Sequence, residues 1–184
     1  MDNHQAKSIA VQITEAADCV NAGEVVAYPT ESCFGLGCHP GNRHAIQHIL
    51  DIKQRGADQG LILVAAETEQ LEIYVDFSVL TETQCVRIEQ SWPGPVSWLI
   101  PARPGCEPLL RGRHQTLAVR VSAFDLIQKL CRRANTALVS TSANRHAQAA
   151  LTTANAVREQ LGDEIAYIID APVQGLARPS RIID

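Results

Sequence analysis

Apolar positions recur along this chain at two periods, and their alternation sets the expected elements. Between residues 7 and 22, Ile9, Ile13, Ala16, Ala17 and Val20 fall on one helical face, and Gly23 is placed to end the helix. Residues 24–28, EVVAY, lack that spacing and predict a buried strand. Asn42 stands where a cap belongs, ahead of Ala45, Ile46, Ile49 and Leu50 on a second helix, and GLILVA at 60–65 predicts the next strand. Thr81 and Gln84 have capping-box spacing before a helix through Val86 and Ile88. Further strands are expected at 96–100, 117–121, 138–140 and 166–169, with helices near 124–133 and 153–161, the last ending at Gly162. Strand spacing is irregular and some connections are too short for a helical crossover, which predicts an α/β (α+β) fold with a mixed rather than a purely parallel sheet. No repeat, low-complexity tract or linker divides the 184 residues, so one domain over 1–184 is expected.

Composition narrows the class. With 46% hydrophobic and 20% charged residues, the chain can bury a sizeable core. A net charge of -4 argues against coating nucleic acid through overall charge, so any basic site must be local. The N-terminal residues carry no signal-peptide pattern, and nowhere do ~18 apolar residues run together, so a cytoplasmic protein with no membrane association is expected. Six cysteines, at 19, 33, 38, 85, 106 and 131, include no CxxC pair and read as reduced thiols.

Several segments carry candidate chemistry. In DIKQRG, Lys53 and Arg55 suit a helix C-terminus electrostatically; on an extended exit segment they would share a face and grip one polyphosphate together. YPTESCFGLGCHPG is rich in turn formers, but its glycines miss a dinucleotide fingerprint, and the chain holds no Walker-type loop. Cys38, His39, His44 and His48 invite a metal-dependent hydrolase, although no carboxylate completes a familiar spacing. Cys33 has no identifiable His and acid beside it and reads as a core thiol. Pro93, Gly94 and Pro95 predict a rigid turn. Arg120 sits within the apolar LAVRVS strand, where a guanidinium is costly unless paired or facing a ligand. LVSTSAN, 138–144, ends a strand in a cluster of hydroxyls and an amide that ordinary turn chemistry also explains.

In order, YPTESCFGLG, IKQRG with GLILV, WPGPVSWLIPA, LAVRV, LVSTSAN and PSRIID resemble the successive signatures of the YrdC-like threonylcarbamoyl-AMP synthases, in their short bacterial form. The resemblance runs from about residue 7 to the end. It implies a twisted mixed sheet flanked by helices around a large basic cavity. The implied activity condenses L-threonine, bicarbonate and ATP into L-threonylcarbamoyladenylate and pyrophosphate, with Mg²⁺ accompanying ATP. The product then serves N6-threonylcarbamoyladenosine formation at position 37 of tRNAs reading codons that begin with A, through a separate transferase complex. The family's Lys-x-Arg and Ser-x-Asn signature maps onto Lys53, Arg55, Ser142 and Asn144, the first pair for phosphate charge and the second for hydrogen bonds to nucleotide. Thr30 is implied to touch threonine and Arg120 its carboxylate, with Ser97, Ser140 and Ser180 in the wall.

The chain departs from the family pattern in places. Gly56 stands where Pro is common, Gln59 where a Lys is expected, Ser97 for Thr and Ser122 for Pro; Arg145 and His146 replace Ser-Gly after the SAN motif. Arg181 replaces Thr near the end, a cation placed to restore some of the charge lost at Gln59. An RNA-binding module for tRNA, double-stranded RNA or ribosome maturation is the alternative, its basic surface extended by Arg103, Arg111, Arg113 and His114. Only 4% of residues are aromatic, which leaves few stacking platforms for bases.

Overall fold

The computed structural model describes residues 7–175 and 180–184; Pro179 of the PSRIID segment lies outside the described residues. Helix α1, Ile9–Asn21, begins at Ser8, whose hydroxyl accepts the Val11 N–H, and Gly23 follows it at φ 84°. Strands β1, Val26–Pro29, and β2, Phe34–Gly37, form a hairpin. Helix α2, Arg43–Lys53, is capped by Asn42, which accepts the Ala45 N–H at 3.0 Å. After β3, Ile62–Ala65, helix α3, Glu82–Ser91, starts from the expected capping box of Thr81 and Gln84. Then come β4, Val96–Pro101; the short α4, Pro108–Arg111; β5, Thr116–Val121; α5, Asp125–Ala134; β6, Leu138–Ser142; α6, Ala154–Leu161; β7, Tyr167–Ile168; and β8, Arg181–Ile183.

All eight strands join one sheet in the order β7-β1-β2-β6-β3-β5-β4-β8. It is mixed, as expected: β1 with β7, β3 with β5 and β4 with β8 run parallel, and the other neighbours antiparallel. Two strands escape the sequence pattern. β2 is the FGLG segment, whose glycines imitate a loop. They are there because the Tyr28 ring lies across them: a Cβ on Gly37 would fall 2.7 Å from Tyr28 Cε1 and 2.7 Å from the Val139 carbonyl oxygen. β8 has only three residues and exists through its pairing with β4.

Strand alternation divides the core. Ala27, Leu36, Leu63, Val119 and Val139 share one cluster with Ile46 and Ile49 of α2 and Val157 of α6. On the other face, Val26, Tyr28, Val64 and Leu138 pack with Ile13, Ala16, Ala17 and Val20 of α1 and Ile127 and Leu130 of α5. Each Val, Leu or Ile among them contributes about 1.5–3 kcal/mol on burial. Two residues along from Val64 and Leu138, the same face changes character. There Gly35 pairs with Ser142, Ser140 with Ile62, Ile62 with Ala118, and Ala118 with Leu99. This row, in which Gly35, Ala118, Ser140 and Ser142 stand with Ile62 and Leu99, is the floor of a cavity. No helix among the described residues is long and apolar enough to cross a membrane.

Candidate functional site

The cavity holds about 590 Å³. Above its floor stand the β1–β2 turn with Thr30, Glu31, Ser32 and Cys33, the Gln59–Gly60 segment with Arg55 and Arg111, and Pro95, Ser180 and Ile182 at the far side. Arg55, Arg111 and Arg120 line it together with His114, against one carboxylate among the described residues, Glu31. The site is therefore cationic inside a protein of net charge -4.

The structure brings Thr30, Arg55, Arg120, Ser140, Ser142 and Ser180 directly to the lining. Lys53, Asn144 and Ser97 stand one step behind it. Ser97 is fully buried and its hydroxyl lies 3.3 Å from that of Ser180. Lys53 ends α2, and Gln54, at φ 50°, turns the chain so that Arg55 leaves the helix toward the cavity. Neither a helical nor an extended pair describes them; a left-handed residue separates the two cations. Lys53 is 7% exposed, and its ammonium donates to the Ser142 carbonyl at 2.6 Å, the Asn144 carbonyl at 3.1 Å and Asn144 Oδ1 at 2.8 Å. Burial, then the neighbouring Arg55 charge, pushes Lys53 down to about 8, while the three oxygen acceptors favour the ammonium.

Asn144 also accepts from Ser142 Oγ at 2.7 Å and donates through Nδ2 to the Gln148 carbonyl at 2.6 Å. The hydroxyls and amide of LVSTSAN thus form one knot with Lys53. Arg145 ties the following loop to the core, donating to the Ile52 carbonyl at 3.2 Å and pairing with Glu164. The substitution after the SAN motif gives that loop anchors of its own.

Arg120 does not wait unpaired in its strand. Its Nη1 meets Glu31 Oε1 at 2.6 Å, and both side chains are buried. Ser122, the residue in place of Pro, donates to the same oxygen at 2.8 Å. Two donors on one buried carboxylate offset much of the cost of placing it there. Arg120 Nε and Arg55 Nε are buried without a hydrogen-bond partner among the described residues. Both belong to residues of the cavity lining, where a ligand's oxygen would satisfy them. Thr30 Oγ1 donates to the Cys33 carbonyl at 2.7 Å, which fixes the turn and leaves the oxygen's lone pairs available.

Other expectations change. Cys33 is a half-buried wall residue rather than a core thiol. Arg181 is exposed and its neighbour Ile182 takes the wall position, so Arg181 does not restore the charge lost at Gln59; Arg111 supplies a cation there. Arg103 donates to the Glu72 and Val75 carbonyls, and neither it nor Arg113 lines the cavity. His44 and His48 are exposed on the outer side of α2, and among the described residues no three His, Cys, Asp or Glu side chains converge to hold a metal ion. Glu31 went unnoticed in the sequence. The available signal was Arg120: a guanidinium inside an apolar strand requires an anion from elsewhere in the fold.

Comparison with known proteins agrees with this architecture. The Sua5/YciO/YrdC family profile, described as "Telomere recombination", matches residues 18–184. A Vibrio vulnificus protein named Threonylcarbamoyl-AMP synthase is 44% identical over 172 residues, 94% of this chain and 92% of that one. One of the same name from Nitrosococcus oceani is 47% identical over 169 residues, 92% of this chain and 90% of that one. The crystal structure of P. abyssi Sua5 complexed with L-threonine has a TM-score of 0.88 at 30% identity, covering 95% of this chain. This chain spans about half, 51%, of that longer protein. Similarity of this extent, carried by sequence and fold together, places the chain in the Sua5/YciO/YrdC family.

Proposed function

We propose that this chain is a cytoplasmic threonylcarbamoyl-AMP synthase, condensing L-threonine, bicarbonate and ATP into L-threonylcarbamoyladenylate and pyrophosphate. The observation that carries this reading is the cavity: three arginines and several hydroxyls around one concave site, in a chain 44% identical to a protein of that name. Threonine's neutral amine must bond to the carbon of bicarbonate, with one C–O bond breaking and water leaving, to form a carbamate. A carbamate oxygen then attacks the α-phosphorus of ATP, and the bond from that phosphorus to the bridging oxygen of pyrophosphate breaks. Two anions meet in this step, so a fixed array of cations and donors supplies much of the catalysis.

Arg55 and Arg111 stand together in the wall that would take the triphosphate, with the Lys53 charge behind Ser142. Ser140 and Ser142, and Asn144 behind them, would hydrogen-bond the nucleotide. Arg120 Nε would meet the threonine carboxylate and Thr30 its side of the turn, with Ser97 and Ser180 closing the far wall. Glu31 is the one carboxylate of the described lining and is engaged by Arg120 and Ser122, so Mg²⁺ would enter on ATP phosphates as part of the substrate. The product would pass to a separate transferase complex acting on tRNA.

Pyrophosphate release is expected only when ATP, threonine and bicarbonate are all present, and Lys53→Ala should abolish it while the far-ultraviolet circular dichroism stays unchanged. Release indifferent to threonine would sink the assignment. Steeply salt-dependent tRNA binding without ATP or threonine would favour the RNA-binding alternative instead. Against that alternative, Phe34 is the one Phe, Tyr or Trp of the described lining, and it is fully buried.

A further inference from the structure

A second concavity, about 660 Å³, lies near the ends of β3 and β5 and shares no lining residue with the first. Its base is apolar. Helix α3 contributes Cys85, Ile88 and Glu89, at i, i+3 and i+4, and Trp92 follows at i+7. Trp92 meets Phe77 edge to face at 6.5 Å, and its indole N–H is committed to the Val96 carbonyl at 2.7 Å. What remains of the ring is hydrophobic surface.

The lining is acidic: Glu67, Glu69, Glu72 and Glu89 against one cation, Arg132, which is itself paired with Glu67 at 2.8 Å. Glu69, Glu72 and Glu89 are exposed and make no ion pair among the described residues. Large apolar side chains also stand in water close by in sequence. Ile73 is 69% exposed, Val79 58% and Val86 42%, each within two residues of a lining position. Exposed apolar side chains next in sequence to the lining of a groove with an apolar base and unpaired charge of one sign make the composition of a recognition surface.

We propose that this groove docks a partner protein through a short basic amphipathic segment. An apolar side chain of that segment would sit on Phe77, Ile88 and Trp92, and its Lys or Arg residues would pair with Glu69, Glu72 and Glu89. The same carboxylates repel RNA and anionic lipid headgroups. A symmetric contact with a second copy would set like charges face to face. A small polyamine would satisfy the carboxylates but leave Ile73, Val79 and Val86 uncovered. The proposal is independent of the activity inferred above, because its residues are absent from the cavity lining.

The probe is a fluorescein-labelled peptide, LKKLLKLLKKLLKL, followed by fluorescence anisotropy with the whole chain. Binding is expected with a Kd below ~100 μM at ~50 mM salt, weakening as salt rises. The pair Glu69→Lys with Glu89→Lys should weaken it about tenfold, and Ile73→Ser with Val79→Ser about threefold, all at exposed positions. Pyrophosphate release should be unchanged in both variants. Absence of binding, binding within twofold of wild type in both variants, or equal affinity for LEELLELLEELLEL would each overturn the proposal. Spermidine displacing the peptide while the Ile73 and Val79 variant binds normally would replace the partner segment with a polyamine. A dimer in sedimentation that both variants abolish would replace it with a second copy.

Discussion

Strands β3, β5 and β6 carry one face of the sheet through two environments. At one end Val64 and Leu138 lie under α1 and α5; two residues away, Ile62, Ala118 and Ser140 floor the cavity. The backbone is the same ladder in both halves. What differs is cover and side-chain size together: large aliphatics pack against α1 and α5 at one end, whereas at the other Gly35, Ala118, Ser140 and Ser142 stand among Ile62 and Leu99 and leave a cavity. Arg120 sits beside Val64 in register, at the boundary, and its partner Glu31 comes from the β1–β2 turn. Period-two alternation therefore decides which face is buried, and cover and residue size along that face together decide where the site opens.

Several variants would break or sharpen this contrast. Arg120→Ala strands the Glu31 carboxylate in a buried position and should cost about 3–5 kcal/mol, measured by urea unfolding. The joint change Arg120→Met with Glu31→Gln should recover most of that loss; failure to recover would mean that the charges themselves, rather than the orphaned one, stabilise the boundary. Leu138→Ala at the covered end should cost about 2–4 kcal/mol while the folded fraction keeps its activity, whereas Ser140→Ala should cost under ~1 kcal/mol. Equal losses would erase the distinction between the halves.

Ala118→Leu adds bulk to the floor. Calorimetric titration should show ATP affinity reduced about tenfold, with stability changed by no more than ~1 kcal/mol because the cavity receives the side chain. A loss of several kcal/mol would show the floor to be packed like the covered end. The smallest effect concerns pH. Burial and the Arg55 charge push Lys53 down to about 8, and ATP favours its ammonium, so binding takes up a proton above that pH and affinity should fall severalfold as pH rises from about 7 to about 9. Lys53→Arg should flatten that slope, and an unaltered slope would assign it to another group.

Helix periodicity and capping chemistry made α1, α2, α3 and α5 legible to within a few residues, since each depends on nearby positions. β2 and β8 were hidden because each is defined by a distant partner: the glycines of β2 fit under Tyr28, and β8 borrows its register from β4. The site divided in the same way. Lys53, Arg55, Ser142 and Asn144 could be proposed from a resemblance in motif order, and the structure gathers them in one neighbourhood. Glu31 could not, because a carboxylate in a turn carries no signal until β5 delivers Arg120 to it. Ser122 looked like a mere departure, yet its hydroxyl helps hold that carboxylate.

The knot at Lys53 has a thermodynamic consequence. All three of its N–H donors are engaged with Ser142 at the end of β6 and with Asn144 two residues on, so a phosphate that recruits this ammonium does so by exchange. Affinity for ATP and the local order of residues 142–148 are then two readouts of one equilibrium, and whatever loosens that segment alters the free energy with which the nucleotide is held.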